Sequence, residues 1–551
     1  MRVAFGRPMM LLRSPRHRLL ASRWALVVVA LESAVISLPA QEGDGVAPPA
    51  VSSSAPESRV VESPQQRGRQ RSRRRTRRVR RRATPPLRHT TPKGTVALAS
   101  DLGTLLGARV RSGRWGVLVV SLTRGDTLYS YEPDLMLAPA SNMKLLTAAL
   151  ALDQFGPDHQ FSTDILREGA VTPDGTLEGN LVMRGDGDPA LSSRFLQGGP
   201  AAPVELLAQL VASKGIKRVA GDLIADASAF DQRRIPDGWQ RRYLHNGYAA
   251  RVSALSLNEN LLWIIVQPGA RAKEPAVVSL DPATELPLSN KVRTVAGSRA
   301  ARVIVRTLDD GTIEVRGWIG TRARTRRYQI VVEDPAIFTV GAFRRALESQ
   351  GIIISGPTRL GETSDTATVV ASLPSPPLAR LLSVMNRESV NHYAELIFRN
   401  IARSANGGPG TIESANDVLQ RFMTEKVRAA PGSVHATDGS GLSVLDRVTP
   451  RALIQLLDYA HRAPWSDVFH TSLPVAGESE LLRHRMRLTP AQGNLHAKTG
   501  TTNTVISLGG YVTAESGEVL AFAFIYNGGD LSKAKETIDA MGATLASWVR
   551  D

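Results

Sequence analysis

The chain has 551 residues, 42% hydrophobic and 22% charged, an ordinary balance for a protein with a real core and enough length for two or more domains. It contains no cysteine, which excludes disulfide frameworks, thiolate zinc sites and cysteine nucleophiles together. The net charge of +17 points to nucleic acid only until it is located: residues 1–95 carry 20 Lys+Arg against 5 Asp+Glu, whereas residues 96–551 carry 48 against 46.

The arm that holds the charge reads in two parts. Residues 1–40 combine Arg2, Arg7, Arg13, Arg16, Arg18 and Arg23 with the apolar stretch Trp24–Leu31, then Glu32 and a small-residue end at Ala40. This is the pattern of a signal peptide; Leu38, large for the third residue before a cut, leaves an uncleaved N-terminal anchor as the alternative. No apolar run reaches the roughly 18 residues of a membrane-spanning helix, so a polytopic membrane protein is excluded. Residues 41–95 are rich in Pro, Ser, Ala and Arg, a linker composition that does not pack. Within it, 11 of the 16 positions 67–82 are arginine. Such a tract stays extended, and outside the cytoplasm it suits anionic envelope polymers or lipid headgroups rather than nucleic acid; a bare charged spacer is the plain alternative.

The body starts near Thr95. Gly116–Leu122 is predicted as a strand, Thr123–Asp126 as a turn and Thr127–Tyr131 as its hairpin partner. Pro139 ahead of the Leu/Ala-rich run to Leu152 marks a helix start, with Ser141 at its first turn. Residues 166–374 have a β-rich texture, as in Ala301–Arg306 and Thr312–Trp318, and read as an inserted region. A helical stretch follows at Leu378–Arg403. Strands Thr504–Thr513 and Val519–Tyr526 are joined by a turn at Ala514–Glu518, and Leu531–Val549 is a closing helix. The expectation is an α/β (α+β) fold in which hairpins from both ends, 96–165 and 375–551, share one antiparallel sheet flanked by helices, with 166–374 inserted as one or two β-rich domains.

Three short motifs carry candidate chemistry. Ser141-Asn-Met-Lys144 places a hydroxyl and an amine one helical turn apart, as a serine nucleophile with a lysine base requires. The helix N-terminus adds a positive field for a developing oxyanion. Alone this is weak, since Ser532-Lys-Ala-Lys535 has the same spacing and a capped helix with a surface lysine explains most such matches. Ser389-Val-Asn391 is weaker still, because Ser256-Leu-Asn258, Ser404-Ala-Asn406 and Ser414-Ala-Asn416 also fit; its setting, ahead of an apolar helix, singles it out. Lys498-Thr-Gly500 occurs once, just before an apolar strand. A lysine and a threonine hydroxyl at a strand edge suit a carboxylate, and the glycine admits a ligand to the backbone.

In this order the three motifs resemble the active-site set of the penicillin-recognising serine enzymes. The gap between Ser141 and Ser389 is too wide for an ordinary β-lactamase. It resembles the insertion of the class C low-molecular-mass penicillin-binding proteins, the D-alanyl-D-alanine carboxypeptidase/endopeptidase family. Gly185-Asp-Gly-Asp-Pro189, Ser253–Asn260, Met385–Glu395 and Asp438-Gly-Ser-Gly-Leu-Ser443 are similar to patches of that family. The resemblance implies a β-lactamase/transpeptidase-like domain and a serine-type D-Ala-D-Ala peptidase acting on peptidoglycan stem peptides, with β-lactams as covalent inhibitors. It implies no metal or cofactor, and an exported, periplasmic or otherwise extracytoplasmic location. By the same resemblance Ser141 is acylated, Lys144 is its base, made neutral by burial and by the nearby Lys498 cation, and Ser389 relays a proton. Asn391 holds the peptide carbonyl, Lys498 and Thr499 grip the terminal carboxylate beside Gly500, and backbone N–H groups of Ser141 and Thr501 form the oxyanion hole. A β-lactamase or esterase of the same superfamily, or a non-catalytic envelope-binding protein, are the competing readings.

Two departures stand out. After Trp239 the family commonly has an acid for the amino group of the stem peptide's diamino acid; here Gln240-Arg-Arg-Tyr243 follows, leaving Asp231 or Asp237 as substitutes. Glu480-Leu-Leu482 stands where the family has Gly-Thr-Leu. Elsewhere, Gly185-Asp-Gly-Asp188 lacks later calcium ligands and reads as a tight turn. The ten histidines contain no zinc-type pair, and His496 reads as a strand-edge surface residue rather than a substrate contact.

Overall fold

The computed structural model describes residues 87–551. The expected leader or anchor, the arginine tract and most of the linker fall outside the described residues.

Five antiparallel strands from the two ends of the body form one sheet, in the spatial order His496–Thr501, Val505–Thr513, Val519–Asn527, Arg114–Ser121, Thr127–Tyr131. The join between first and last hairpins runs the full length of Arg114–Ser121, with Val117 opposite Phe524. The pleat sends alternate side chains to two faces, and both are covered. Val117, Val119, Phe522 and Phe524 pack with Leu98, Leu102, Ile538 and Met541 of the helices Thr95–Ala108 and Leu531–Ala546. Leu118, Ala521, Ala523 and Ile525 face the remaining helices. Double burial is why the three inner strands, Val505–Thr513, Val519–Asn527 and Arg114–Ser121, appear in the sequence as largely apolar runs.

The helix Met143–Phe155 lies at the centre of that second layer, with every residue from Met143 to Leu152 buried. A helix apolar all round is an interior helix, and Gly156, at φ 77°, ends it. Leu378–Arg387, Asn391–Asn406, Ile412–Glu425 and Pro450–Arg462 share its core. Their starts follow ordinary capping chemistry: Thr411 accepts from Ser414 N, and Thr449 accepts from Ala452 N ahead of Pro450.

Between Ser162 and Pro374 the chain forms three further sheets, of seven, three and three strands, around a separate core. A purely β-rich reading misses two helices there, Ala202–Ser213 and Pro335–Ser349, whose apolar faces fill that core. The second carries a legible start, Pro335 in its first turn and Asp334 accepting from Ile337 N at 3.2 Å.

Candidate active site

Ser141 lies in a 3-10 turn, Ala140–Asn142, that runs directly into the central helix. Ala140 is held at φ 48°, a left-handed conformation that costs a non-glycine residue on the order of 1–3 kcal/mol and is kept only where the surroundings enforce it. They do: a Cβ on Gly441 would lie 1.8 Å from the Ala140 carbonyl oxygen, and one on Gly500 would lie 2.8 Å from that of Pro139. The nucleophile turn and the Asp438–Ser443 loop therefore meet backbone to backbone at Gly441, and at Gly500 the Lys498 strand leaves room only for the Ser507 hydroxyl, which donates to the Pro139 carbonyl at 2.7 Å.

Lys144 is wholly buried one turn after Ser141. Its Nζ lies 3.1 Å from Ser141 Oγ, 2.6 Å from Asn391 Oδ1 and 2.7 Å from the Ser440 carbonyl oxygen. The Asn391 amide is oriented by Nδ2 donating to the Tyr248 carbonyl at 2.8 Å, so Oδ1 faces the lysine. A neutral amine has two hydrogens and one lone pair. The two shortest contacts go to oxygens that only accept, which leaves the lone pair facing the Ser141 hydroxyl.

Ser389 sits between the helices Leu378–Arg387 and Asn391–Asn406, itself at φ 60°. Its Oγ accepts from Lys498 Nζ at 2.9 Å, and Lys498 also donates to the Thr499 carbonyl at 3.0 Å. Lys498 lies in a strand of its own, His496–Thr501, at the edge of the five-stranded sheet and just ahead of the apolar strand Val505–Thr513. Thr499 and Gly500 are buried beside it, and Thr501 is exposed at the strand's end. The look-alike Ser256 is taken up locally, its Oγ donating to the Ser253 carbonyl.

Behind Lys144 lies a group of buried carboxyls. Asp438 Oδ1 accepts from the N–H groups of Ser440 (2.9 Å) and Gly441 (2.6 Å), and Oδ2 from Ser443 N (2.7 Å) and the Trp239 indole (2.8 Å). This is what Trp239 does: it ties the middle region to the loop whose Ser440 carbonyl holds Lys144. Glu395 Oε1 accepts from Gly439 N at 3.1 Å, and Oε2 from Arg399 Nη1 at 3.1 Å. Asp446, which accepts from Thr437 N at 2.8 Å, is pushed well up by burial and by the neighbouring Asp438 carboxylate.

Burial draws the Lys144 ammonium down to about 8, against the opposing pull of Asp438, Glu395 and Asp446. The expectation that the Lys498 cation lowers Lys144 is therefore corrected in its cause: desolvation of the fully enclosed amine does it. The charge repulsion is felt at Lys498, which burial and then Lys144 push well below the usual lysine range.

The segment after Trp239 forms a 3-10 turn, Arg241–Tyr243. Arg242 lies over the Tyr243 ring and donates through Nε (3.2 Å) and Nη2 (3.1 Å) to the Asn503 amide oxygen, just past the Lys498 strand. Asp237 lies 3.6 Å from Arg233, and Asp231 lies 3.9 Å from Arg399. Glu480 pairs with Arg387 at 3.1 Å, at the end of the helix that delivers Ser389, which gives the Glu480-Leu-Leu482 turn a positional role. Asp188 accepts from Ala190 N, a local turn contact, while Asp186 accepts from Ser162 N at the start of the neighbouring strand. His496 is half-buried, and His470 Nε2 lies 3.2 Å from His461 Nδ1 beside it, a cluster invisible to sequence spacing. His496 thus stands on the edge strand, as expected, but half-buried rather than fully at the surface.

Residues 103–548 match the D-Ala-D-Ala carboxypeptidase 3 (S13) family. The chain is 34% identical over 483 residues to a D-alanyl-D-alanine carboxypeptidase of Actinomadura sp. (strain R39), covering 85% of this chain and 87% of that protein. It is 26% identical to the D-alanyl-D-alanine carboxypeptidase DacB of Haemophilus influenzae, over 76% of this chain and 87% of the relative. Its fold is similar to the crystal structure of penicillin binding protein 4 from Haemophilus influenzae, with a TM-score of 0.68 at 23% identity, covering 80% of this chain and 98% of that one. With a motif-bearing body matched almost from end to end, the chain belongs to the D-Ala-D-Ala carboxypeptidase 3 (S13) family.

Proposed function

We propose that the protein is a serine D-Ala-D-Ala carboxypeptidase/endopeptidase of peptidoglycan stem peptides, acylated by β-lactams on Ser141. The observation that carries this is the pair of buried lysines, each on a serine hydroxyl: Lys144 on Ser141 and Lys498 on Ser389. Neutral Lys144 takes the Ser141 proton as Oγ attacks the carbonyl carbon of the penultimate D-alanine. Backbone N–H groups of Ser141 and Thr501 receive the oxyanion. The C–N bond breaks as the leaving amine gains a proton relayed through Ser389, and water then hydrolyses the Ser141 ester. Asn391 holds the substrate's peptide carbonyl. Lys498 and Thr499 take the terminal carboxylate, whose charge restores the ammonium that burial disfavours. Residues 96–165 with 375–551 form the catalytic domain in this reading. The arm serves export through residues 1–40 and contacts anionic envelope material through residues 67–82.

Fluorescent penicillin added to the protein and to its Ser141→Ala variant tests the assignment. The label is expected on the Ser141 peptide and absent from the variant. An adduct on Ser389 overturns the roles, and rapid release of penicilloic acid favours a β-lactamase instead.

A further inference from the structure

Glu395 is wholly buried and lies one helical turn after Asn391, on the same face of the same helix. Asn391 touches Lys144 directly, whereas Glu395 reaches it through the backbone: it holds Gly439 N–H, and the next residue's carbonyl is the one on Lys144 Nζ. Thr147, one turn after Lys144, closes the arrangement from the other helix by donating to the Gly439 carbonyl at 2.7 Å.

Resting on the proposal that Lys144 is the base, we propose that Glu395 is a positioning residue that sets the base strength of Lys144, by anchoring the loop at Gly439 N–H so that the Ser440 carbonyl stays against it and by placing a carboxylate behind it. The charged groups around Glu395 are Arg399 on its own helix, Asp438 on the loop, and Lys144 on the central helix. Asp446 stands behind Asp438, while Arg399 is shared with Asp231 and faces His392. Arg399 therefore neutralises Glu395 only in part, and the carboxylate's remaining influence falls on Lys144. Burial and Asp438 raise Glu395 to about 7, so its charge varies in the range where the lysine must work. The site thus has a second titrating group that touches neither substrate nor nucleophile.

The test is the pH dependence of acylation by benzylpenicillin in the full chain and in Glu395→Gln, with folding checked by thermal melting. The glutamine keeps an oxygen for Gly439 N–H and removes the charge. Loss of a nearby negative charge favours the neutral amine, so the rising limb is expected to move to lower pH by about half a unit or more. A limb that coincides with wild type, with only the amplitude reduced, overturns the proposal, because a merely structural residue scales the rate alike at every pH. If Glu395→Gln does not fold, Glu395→Asp decides. It draws the carboxylate back from Gly439 N–H and from Lys144, so the limb is expected to move to lower pH, by less than full removal of the charge would move it. A limb that stays at the wild-type pH overturns the proposal. Failure of benzylpenicillin to label wild-type Ser141 would break the reading of the site itself; a labelled wild type with an unshifted Glu395→Gln limb breaks only the role of Glu395.

Discussion

The two buried lysines stand in opposite surroundings. Lys144 is backed by Asp438, Glu395 and Asp446, which temper the cost of burial and leave it near 8, able to carry or shed a proton. Lys498 is as deeply buried and has no carboxylate among its hydrogen-bond partners, only a serine hydroxyl and a carbonyl. The same side chain is thus prepared for two tasks. One lysine has its counter-charges built in and can cycle a proton. The other lacks a counter-charge and gains most from a ligand that brings one.

The comparison breaks most sharply at the base. Lys144→Ala is expected to slow acylation by about 10³-fold at every pH, measured by stopped-flow with a chromogenic β-lactam. A loss of only a few fold would mean that the amine is structural. Lys498→Ala should cost roughly 2–5 kcal/mol of kcat/KM on peptides with a free terminal carboxylate. The same substitution should cost far less on peptides with an amidated C-terminus. Equal losses on both would remove the carboxylate from the account.

The pH profile sharpens the contrast next. As the proposed base, Lys144 acts deprotonated, so acylation should rise about tenfold per unit below pH 8 and level off above it. A flat profile from pH 6 to 9 would show that proton removal from Lys144 is not limiting. The smallest effect concerns the wall beside Lys498. Arg242 adds positive charge there, and Asp231 and Asp237 lie beside Arg399 and Arg233. Stem peptides with a free distal amine should then differ from their acetylated forms by less than about tenfold in kcat/KM. A hundredfold preference for the free amine would reveal an acid in contact with it.

What the sequence displays of this site is its local part. Ser141 and Lys144 share one turn and Lys498-Thr-Gly500 is contiguous, so they show as short motifs, which their order along the chain separates from look-alikes such as Ser532-Lys-Ala-Lys535. The sheet is legible for the same reason: its strands are short apolar runs with turn residues between them. Glu395 and Asp438 are different. Both stand in motif-like stretches, yet their significance lies in a loop and a helix meeting across dozens of residues, and no periodicity encodes that meeting. The histidine cluster at 461, 470 and 496 is hidden likewise. The helices Ala202–Ser213 and Pro335–Ser349 are a different kind of omission, because their prolines and the Asp334 cap are local signals that strand-rich surroundings obscured.

The backbone contacts at Gly441 and Gly500 bear on how such a site can change over time. With Ala140 and Pro139 pressed against them, neither position admits even a methyl group without moving a main chain, so the floor that holds Ser141 has no room for drift. Adaptation to a new peptide must then come from the rim, where Arg241, Arg242 and Tyr248 are exposed and carry no such contact. The middle region, which supplies that rim, is where this protein can acquire a different diet while its chemistry stays fixed.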